Sequence, residues 1–179
     1  DYLDDDETLR IKYLPNYIIG DLDSLSEKVY KYYRKNKVTI IKQTTQYSTD
    51  FTKCVNLISL HFNSPEFRSL ISNKDNLQSN HGIELEKGIH TLYNTMTESL
   101  VFSKVTPISL LALGGIGGRF DQTVHSITQL YTLSENAKYF KLCYMTPTDL
   151  IFLIKKNGTL IEYDPQFRNT CIGNCGLLP

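Results

Sequence analysis

The sequence predicts an α/β fold of three layers, in which a mostly parallel sheet carries helices on both faces. Three stretches of the 179 residues each read as a buried strand, a loop and an amphipathic helix, which is typical of parallel sheets. The 19 basic and 19 acidic side chains balance, which argues against generic nucleic-acid binding. No apolar run approaches the roughly 18 residues of a membrane span, so we expect that this chain is not a membrane protein.

The first two of these steps occupy residues 17–62. In the first, the apolar run 17–19 ends at Gly20. Ser24 with Glu27 forms a capping box that predicts the start of a helix, and we expect this helix to end near residue 35 or 36. In the second, β-branched residues 38–41 precede a polar loop, and Thr49 or Asp50 caps the next helix. The apolar side chains of this helix are Phe51, Cys54, Val55, Ile58 and Phe62.

The third step runs from a buried strand at 108–113, through residues 114–118 (the glycine loop), to a helix over 121–134. Strand-like runs follow at 139–145, 150–154 and 159–163, and Asn157-Gly158 is a hairpin signal. The polar segment 63–104 is expected to be a surface insertion with a weak helix over 84–98. We therefore expect one Rossmann-like domain over residues 1–170. On the third helix, the predicted inward side chains are Val124, Ile127, Leu130 and Tyr131.

The cysteines indicate a reduced, cytoplasmic setting. Four cysteines in 179 residues are too few for a disulfide-rich secreted scaffold, and the acidic first residues are unlike a secretion signal. Cys171 and Cys175 lie at a spacing that could suit zinc, but no second pair or histidine motif lies near them to complete a tetrahedral site.

Aspartates follow each of the three predicted strands. Asp21 and Asp23 come after the first, Asp50 after the second and Asp121 after the third. Ligands of open α/β sheets bind beyond the carboxyl ends of the strands, where these loops are expected to lie. Carboxylate oxygens with room for water and phosphate suit Mg²⁺, although any one of these aspartates could simply cap a helix.

The glycine loop and the residues after it form the most specific stretch of the chain. Four glycines let backbone N–H groups approach an anion, and Arg119 adds a fork of donors at the helix start. The pattern is neither a dinucleotide fingerprint nor a Walker loop. A phosphate site beside carboxylate-held magnesium predicts phosphoryl or diphosphoryl transfer.

Three motifs resemble those of the thiamine pyrophosphokinase family in its fungal form. They are Gly-Asp-Leu-Asp-Ser at 20–24, the stretch 46–54, and the glycine loop with its flanks at 113–122. Residues 173–179 resemble the segment that leads into the family's second, all-β domain, so 171–179 are expected to begin a linker and most of that domain is missing. The resemblance implies a homodimer that transfers the terminal diphosphate of ATP to the hydroxyl of thiamine with Mg²⁺, releasing AMP.

The resemblance also implies roles for individual residues. Asp21, Asp23 and Asp50 would hold magnesium, and Asp121 would complete the catalytic carboxylates and orient the thiamine hydroxyl. Where the family motif commonly reads Asp-Gln-Asp-x-Thr-Asp, this chain has Thr45 and Tyr47 in place of two carboxylates, which leaves fewer acidic ligands. The implied contacts to ATP or its phosphates are Gln46, Thr49, Lys53, Gly115, Gly117, Gly118 and Arg119.

Two other interpretations remain open at this level. Asp21 and Asp23 could be the nucleophile and acid of an aspartyl-phosphate phosphatase, although Leu25 departs from that motif and the glycine loop has no part in that scheme. Alternatively, the chain could be a nucleotide-binding or dimerising fragment without catalysis of its own.

Overall fold

The computed structural model describes residues 6–45, 48–72, 88–99, 105–171 and 173–177. The described residues form a mixed α/β structure in two compact units, Asp1–Ile108 and Ser109–Pro179. In chain order the elements are α1 (Glu7–Lys12), β1 (Tyr17–Gly20), α2 (Glu27–Lys35), β2 (Thr39–Lys42), α3 (Asp50–Asn63), α4 (Pro65–Ser72), α5 (Gly88–Ser99), β3 (Ile108–Leu113), α6 (Phe120–Asn136), β4 (Phe140–Met145), β5 (Leu150–Phe152) and α7 (Pro165–Cys171).

The first unit is built on a parallel pair of strands. β1 pairs with β2 in a register that sets Tyr17 opposite Thr39 and Gly20 opposite Lys42. The amide of Gln43 then donates to the carbonyl of Gly20 at 2.7 Å, which continues the pairing one residue beyond β2. Helix α3 packs against β1, α4 and α5. Because β1 and β2 are parallel, the loops after both strands lie at the same edge of the pair.

The core of the first unit includes residues from the segment 63–104. We expected that segment to be a surface insertion, yet Phe67 of α4 and Ile89 of α5 are 2% and 1% exposed in the core. The side chain of Gln43, itself 1% exposed, accepts a hydrogen bond from the amide of Ile89 at 3.0 Å. This bond ties the start of α5 to the end of β2. The remaining buried members of the cluster are Ile41, Leu57, Leu60 and Met96.

Helix α2 begins two residues later than its capping box predicts. Its N-cap is Ser26, whose hydroxyl accepts from the amide of Val29 at 3.4 Å, so the assignment of Ser24 as the cap is wrong. The reason is a turn, closed by a hydrogen bond from the amide of Leu25 to the carbonyl of Leu22 at 3.2 Å, which occupies the intervening residues. The predicted end of the helix, near residue 35 or 36, is confirmed.

The second unit contains a three-stranded sheet in the order β3-β4-β5. β4 and β5 are antiparallel, with Tyr144 opposite Ile151, and the amide of Thr146 donates to the carbonyl of Asp149 across the turn between them at 2.9 Å. Helix α6 packs against β4. The predicted strand at 108–113 and the helix that follows the glycine loop are therefore confirmed.

The buried face of α6 differs from the predicted one. Ser126, Leu130 and Leu133 are buried, four and three residues apart, as one face of a helix requires. Val124 and Tyr131 were predicted to face inward and are instead 44% and 50% exposed, because they lie on a neighbouring face.

The third strand predicted for the tail does not form. Residues 159–163 have no ladder partner within the part of the chain that the structure describes, and Leu160 is 85% exposed. The Asn157-Gly158 signal does mark a turn, because the amide of Gly158 donates to the carbonyl of Lys155 at 2.9 Å. None of the described helices is long and apolar enough to cross a membrane.

Candidate functional site

The first acidic motif forms a tight turn directly after β1. Leu22 has φ of +64°, a left-handed conformation that is uncommon for a residue with a branched side chain. Asp21 lies before it and accepts a hydrogen bond on Oδ1 from the amide of Asp23 at 3.2 Å. The turn therefore sets the Asp21 carboxylate against the backbone and leaves the side chain of Asp23 exposed.

The second motif begins helix α3 at the same edge of the sheet. Thr49 is the N-cap, and its hydroxyl accepts from the amide of Thr52 at 3.3 Å. Asp50 lies in the first turn, where a negative charge is favoured by the helix dipole. Gln46, a further predicted ATP contact of this motif, lies outside the described residues.

Asp50 brings the first two motifs together. Its Oδ1 atom is 2.9 Å from Nζ of Lys53, one turn along α3. A Cβ placed on Gly20 would lie 3.2 Å from Cγ and both carboxylate oxygens of Asp50, so the end of β1 closely approaches this carboxylate. The absence of a side chain at Gly20 makes this approach possible.

The Asp50–Lys53 pair is asymmetric in its exposure. The Lys53 side chain is 5% exposed, and the Asp50 side chain is 59% exposed. The buried ammonium thus faces a carboxylate that water and ligands can reach. Beside the pair, burial first and the Asp50 charge second raise the pKa of the Cys54 thiol, against a lowering by Lys53. Cys54 is therefore not activated as a nucleophile.

The acidic side chains do not form a preassembled metal site. Within residues 6–45, 48–72, 88–99, 105–171 and 173–177, no three histidine, cysteine, aspartate or glutamate side chains are grouped closely enough to hold a metal. The chemistry of the donors nevertheless fits a hard cation, since Mg²⁺ is commonly held by one or two carboxylates while water and phosphate complete its shell. Asp21, Asp23 and Asp50 are the oxygen donors of the first unit that sequence reasoning predicts for this role.

In the second unit the glycine loop links β3 to α6, and its glycines are required for two different reasons. Gly114, Gly117 and Gly118 have φ values of +71°, +103° and +67°, which L side chains rarely adopt. At Gly115 the reason is contact: an added Cβ would lie 2.5 Å from Cε1 of the Tyr144 ring.

An ion pair stands where the loop enters α6. Arg119 is the N-cap residue without a side-chain capping bond, and its Nε donates to Oδ1 of Asp121 at 3.1 Å. This hydrogen bond is the largest cause that lowers the pKa of Asp121, and its counterpart raises the pKa of Arg119. Their side chains are 75% and 60% exposed, so the pair is open to a ligand.

Three residues to which the sequence analysis assigned no role make contacts within these motifs or against them. Gly20 abuts Asp50, Tyr144 lies against Gly115, and Oγ1 of Thr123 is within hydrogen-bonding distance of Gly117. The strand end before Asp21 and the spacing of Thr123 from the loop were visible in the sequence. No sequence signal pointed to Tyr144, which is separated from Gly115 by the whole of α6.

Comparison with known proteins identifies the family. A model of the family described as "Thiamin pyrophosphokinase, catalytic domain" matches residues 5–142. The chain belongs to this family. The matched range includes Asp21, Asp23, Asp50 and Asp121 as well as the glycine loop.

Individual thiamine pyrophosphokinases are similar over the whole chain. Thiamine pyrophosphokinase of Saccharomyces cerevisiae is 99% identical over 179 residues, which are 100% of this chain and 56% of that protein. Thiamine pyrophosphokinase 3 of Oryza sativa subsp. japonica is 27% identical over 98% of this chain and 49% of its own length. The chain therefore spans about half the length of these curated relatives.

Solved structures of the family share the fold. The crystal structure of the yeast thiamin pyrophosphokinase superposes with a TM-score of 0.94 at 99% identity, covering 100% of this chain and 56% of the other. Thiamin pyrophosphokinase from Candida albicans gives a TM-score of 0.70 at 38% identity over 82% of this chain and 47% of that one.

Proposed function

We propose that the protein containing this chain is a thiamine diphosphokinase, which transfers the terminal diphosphate of ATP to the hydroxyl of thiamine and releases AMP. The observation that carries the proposal is the 99% identity, over all 179 residues, to a protein named thiamine pyrophosphokinase. The residues support it, because carboxylates that follow strand ends and a glycine loop before an arginine are groups that phosphate transfer uses.

In this proposal the glycine loop of the second unit binds ATP phosphates, and the family resemblance assigns further nucleotide contacts to the start of α3 in the first unit. Gly115, Gly117 and Gly118 shape a backbone that an anion can approach closely, and the exposed Arg119 guanidinium supplies a fork of donors. Lys53 contributes positive charge behind Asp50. Thr49 and Gln46 are the remaining proposed nucleotide contacts.

Asp21, Asp23 and Asp50 would hold a divalent cation, which we propose to be Mg²⁺. When bound, the cation neutralises charge on the phosphate oxygens during transfer. The chain contributes oxygen donors for it: Asp23 is exposed, and Asp50 is reachable at 59% exposure. Asp21 is held in place by its hydrogen bond from the amide of Asp23.

The transfer itself needs little covalent chemistry from the protein. In our proposal the thiamine hydroxyl attacks the β-phosphorus in line, and the bond from that phosphorus to the oxygen of AMP breaks. Asp121 orients the hydroxyl, and Arg119 holds the Asp121 carboxylate in its charged form. Rate is gained by positioning and by stabilisation of charge on the phosphates.

We propose the domain architecture, the oligomeric state and the cellular location of the protein from the family resemblance. Residues 1–170 would form one Rossmann-like catalytic domain with three layers and a mostly parallel sheet, for which the parallel β1–β2 pair is the direct support. Residues 171–179 would begin the link to a C-terminal β domain. We propose a cytoplasmic homodimer, to be tested by sedimentation of the full-length protein and by imaging of a tagged copy.

The test is product analysis with ATP, Mg²⁺ and thiamine, using the full-length yeast relative and the numbering of this chain. We expect AMP and thiamine diphosphate in equal amounts. ADP as the nucleotide product would contradict diphosphate transfer, and release of phosphate from a simple monoester without ATP would favour the phosphatase alternative.

A matched pair of variants connects the activity to the site. Asp23→Asn should reduce turnover by about 10²-fold or more, because a metal carboxylate supplies several kcal/mol of transition-state stabilisation. Its fold should persist, since the Asp23 side chain is exposed. Glu27→Gln removes a nearby exposed carboxylate that pairs with Lys31 on the surface, and it should leave turnover unchanged. Equal activity of the two variants would refute the metal assignment.

A further inference from the structure

The glycine loop is held by a side chain from the helix that follows it. The Oγ1 atom of Thr123 accepts a hydrogen bond from the amide of Gly117 at 3.1 Å and lies 3.3 Å from the carbonyl oxygen of Gly117, to which it donates. One hydroxyl thus contacts both polar groups of a residue whose φ is +103°. Gly117 has no side chain of its own to stabilise that conformation, so Thr123 supplies the restraint.

This contact changes what Gly117 can offer a phosphate. Its amide already donates to Thr123, so it supplies the loop with shape rather than with a donor. The capacity for anion binding then rests on the neighbouring backbone and on Arg119 at the start of α6. A loop that keeps its shape before the ligand arrives avoids the entropy cost of ordering it on binding.

The opposite end of the loop rests on a buried aromatic ring. Tyr144 is 0% exposed, and its Cε1 and Cδ1 atoms lie 2.5 and 2.8 Å from the position that a Cβ on Gly115 would occupy. The backbone that carries the ring is fixed in turn by the pairing of Tyr144 with Ile151 between β4 and β5. The backbone at Gly115 therefore lies directly on a rigid surface.

We propose that Thr123 and Tyr144 are positioning residues that hold the glycine loop in the shape that binds the polyphosphate of a nucleotide. Thr123 restrains Gly117 through two hydrogen bonds, and Tyr144 supports Gly115 by contact. The inference rests on the proposed function, because it names the ligand of the loop as the ATP phosphates. Both side chains are proposed to act through the loop and not on the reacting atoms.

The test measures the KM for ATP, the KM for thiamine and kcat in the full-length yeast relative, with the numbering of this chain. Thr123→Val removes the hydroxyl at nearly constant volume and should raise the KM for ATP by about fivefold to tenfold, the effect of about one net hydrogen bond. The KM for thiamine should change by less than about twofold, because the loop is proposed to bind phosphate only. Thr123→Ser keeps the hydroxyl and should restore the KM for ATP.

Two further comparisons separate positioning from general stability. Thr132→Val alters the same residue type on the same helix, where the hydroxyl is exposed and bonded to the carbonyl of Thr128 at 3.1 Å, and it should leave every constant unchanged. Tyr144→Leu removes the ring beneath Gly115 and should also raise the KM for ATP, whereas Tyr144→Phe retains the ring and should restore it. Thermal unfolding of each variant identifies any that fails to fold.

The result that would overturn the inference is an unchanged KM for ATP in Thr123→Val, or an equal rise in the KM for thiamine. Binding of ATP with Mg²⁺, followed by calorimetry, decides the question independently of turnover. If the unaltered enzyme makes no thiamine diphosphate, the proposed function fails, yet weaker ATP binding by Thr123→Val than by Thr132→Val would still support the role of Thr123. Equal ATP binding by these two variants would refute it.

Discussion

Replacement of Asp50 by asparagine should damage both the stability of the protein and its activity, and a second substitution should separate the two effects. The Lys53 ammonium lies 2.9 Å from Oδ1 of Asp50, and the Lys53 side chain is only 5% exposed. Asp50→Asn keeps the shape of the side chain but leaves this buried positive charge without its carboxylate. The free energy of unfolding should fall for that reason, in addition to any loss of metal binding.

The structure limits the size of the effect. Removing one partner of a fully buried ion pair costs about 3–5 kcal/mol, whereas an exposed pair contributes about 0.2–1 kcal/mol. Asp50 is 59% exposed, so the pair lies between these limits and we expect a loss of about 2 kcal/mol. For a domain of this size, that corresponds to a fall in Tm of about 4–8 °C.

The assay is a double-mutant cycle on the full-length yeast relative, followed by thermal unfolding and by thiamine diphosphate formation. Lys53→Met removes the buried charge, so Asp50→Asn with Lys53→Met should be more stable than Asp50→Asn alone. Activity should remain low in both, because the proposed metal carboxylate is missing. The cycle also cancels the loss of a favourable charge at the start of α3.

A surface ion pair serves as the control for this cycle. Glu27→Gln breaks the pair with Lys31. The side chains of Lys31 and Glu27 are 71% and 80% exposed, so this change should shift Tm by very little. If Asp50→Asn unfolds at the same temperature as the unaltered protein, or if the double variant is no more stable than Asp50→Asn, then Lys53 does not depend on Asp50 and the reasoning is refuted.

Three further predictions concern the other contacts of the site. Gly20→Ala places a Cβ 3.2 Å from the Asp50 carboxylate. Displacement of that carboxylate should lower kcat/KM by about tenfold with little change in Tm. Unchanged kinetics would show that Asp50 tolerates the added methyl group. Arg119→Ala removes the hydrogen bond that lowers the pKa of Asp121, so an NMR titration of that carboxyl should move to higher pH, and identical midpoints would disprove the link. In the unaltered protein the pair contributes above the Asp121 pKa and is lost as the pH falls through it. Burial raises the pKa of Tyr144 to about 12. The stability that the protein gains from neutral Tyr144 is therefore complete below a pH of about 10 and is lost as the pH rises toward 12. In an ultraviolet titration, Tyr144→Phe should lack one late-ionising tyrosine, and an equal absorbance change in the two proteins would contradict this.

Local sequence signals predicted the elements that surround the site. The apolar runs at 17–19 and 38–41 became a parallel pair, Thr49 caps α3, and the glycine loop joins a buried strand to a helix. These features succeed because capping and left-handed glycines depend on residues a few positions apart. The N-cap of α2 at Ser26 was missed because a left-handed Leu22 is not a local preference of leucine.

Burial and distant contacts could not be predicted in the same way. Phe67 and Ile89 looked like part of a polar insertion, yet they complete the core beneath β2, because burial depends on which elements pack together. Val124 and Tyr131 have the apolar character of core residues but lie on an exposed face of α6. Apolar side chains on a helix do not by themselves decide which face is covered.

By itself, the sequence determined which carboxylates follow the strands, which glycines precede Arg119 and which family these motifs belong to. Only the tertiary structure decided how these groups are held. It buries Lys53 against Asp50, places Gly20 beside the same carboxylate and sets Tyr144 beneath Gly115. The physical reason is that residue identity carries charge and backbone preference, whereas close approach between distant segments exists only after the elements have packed.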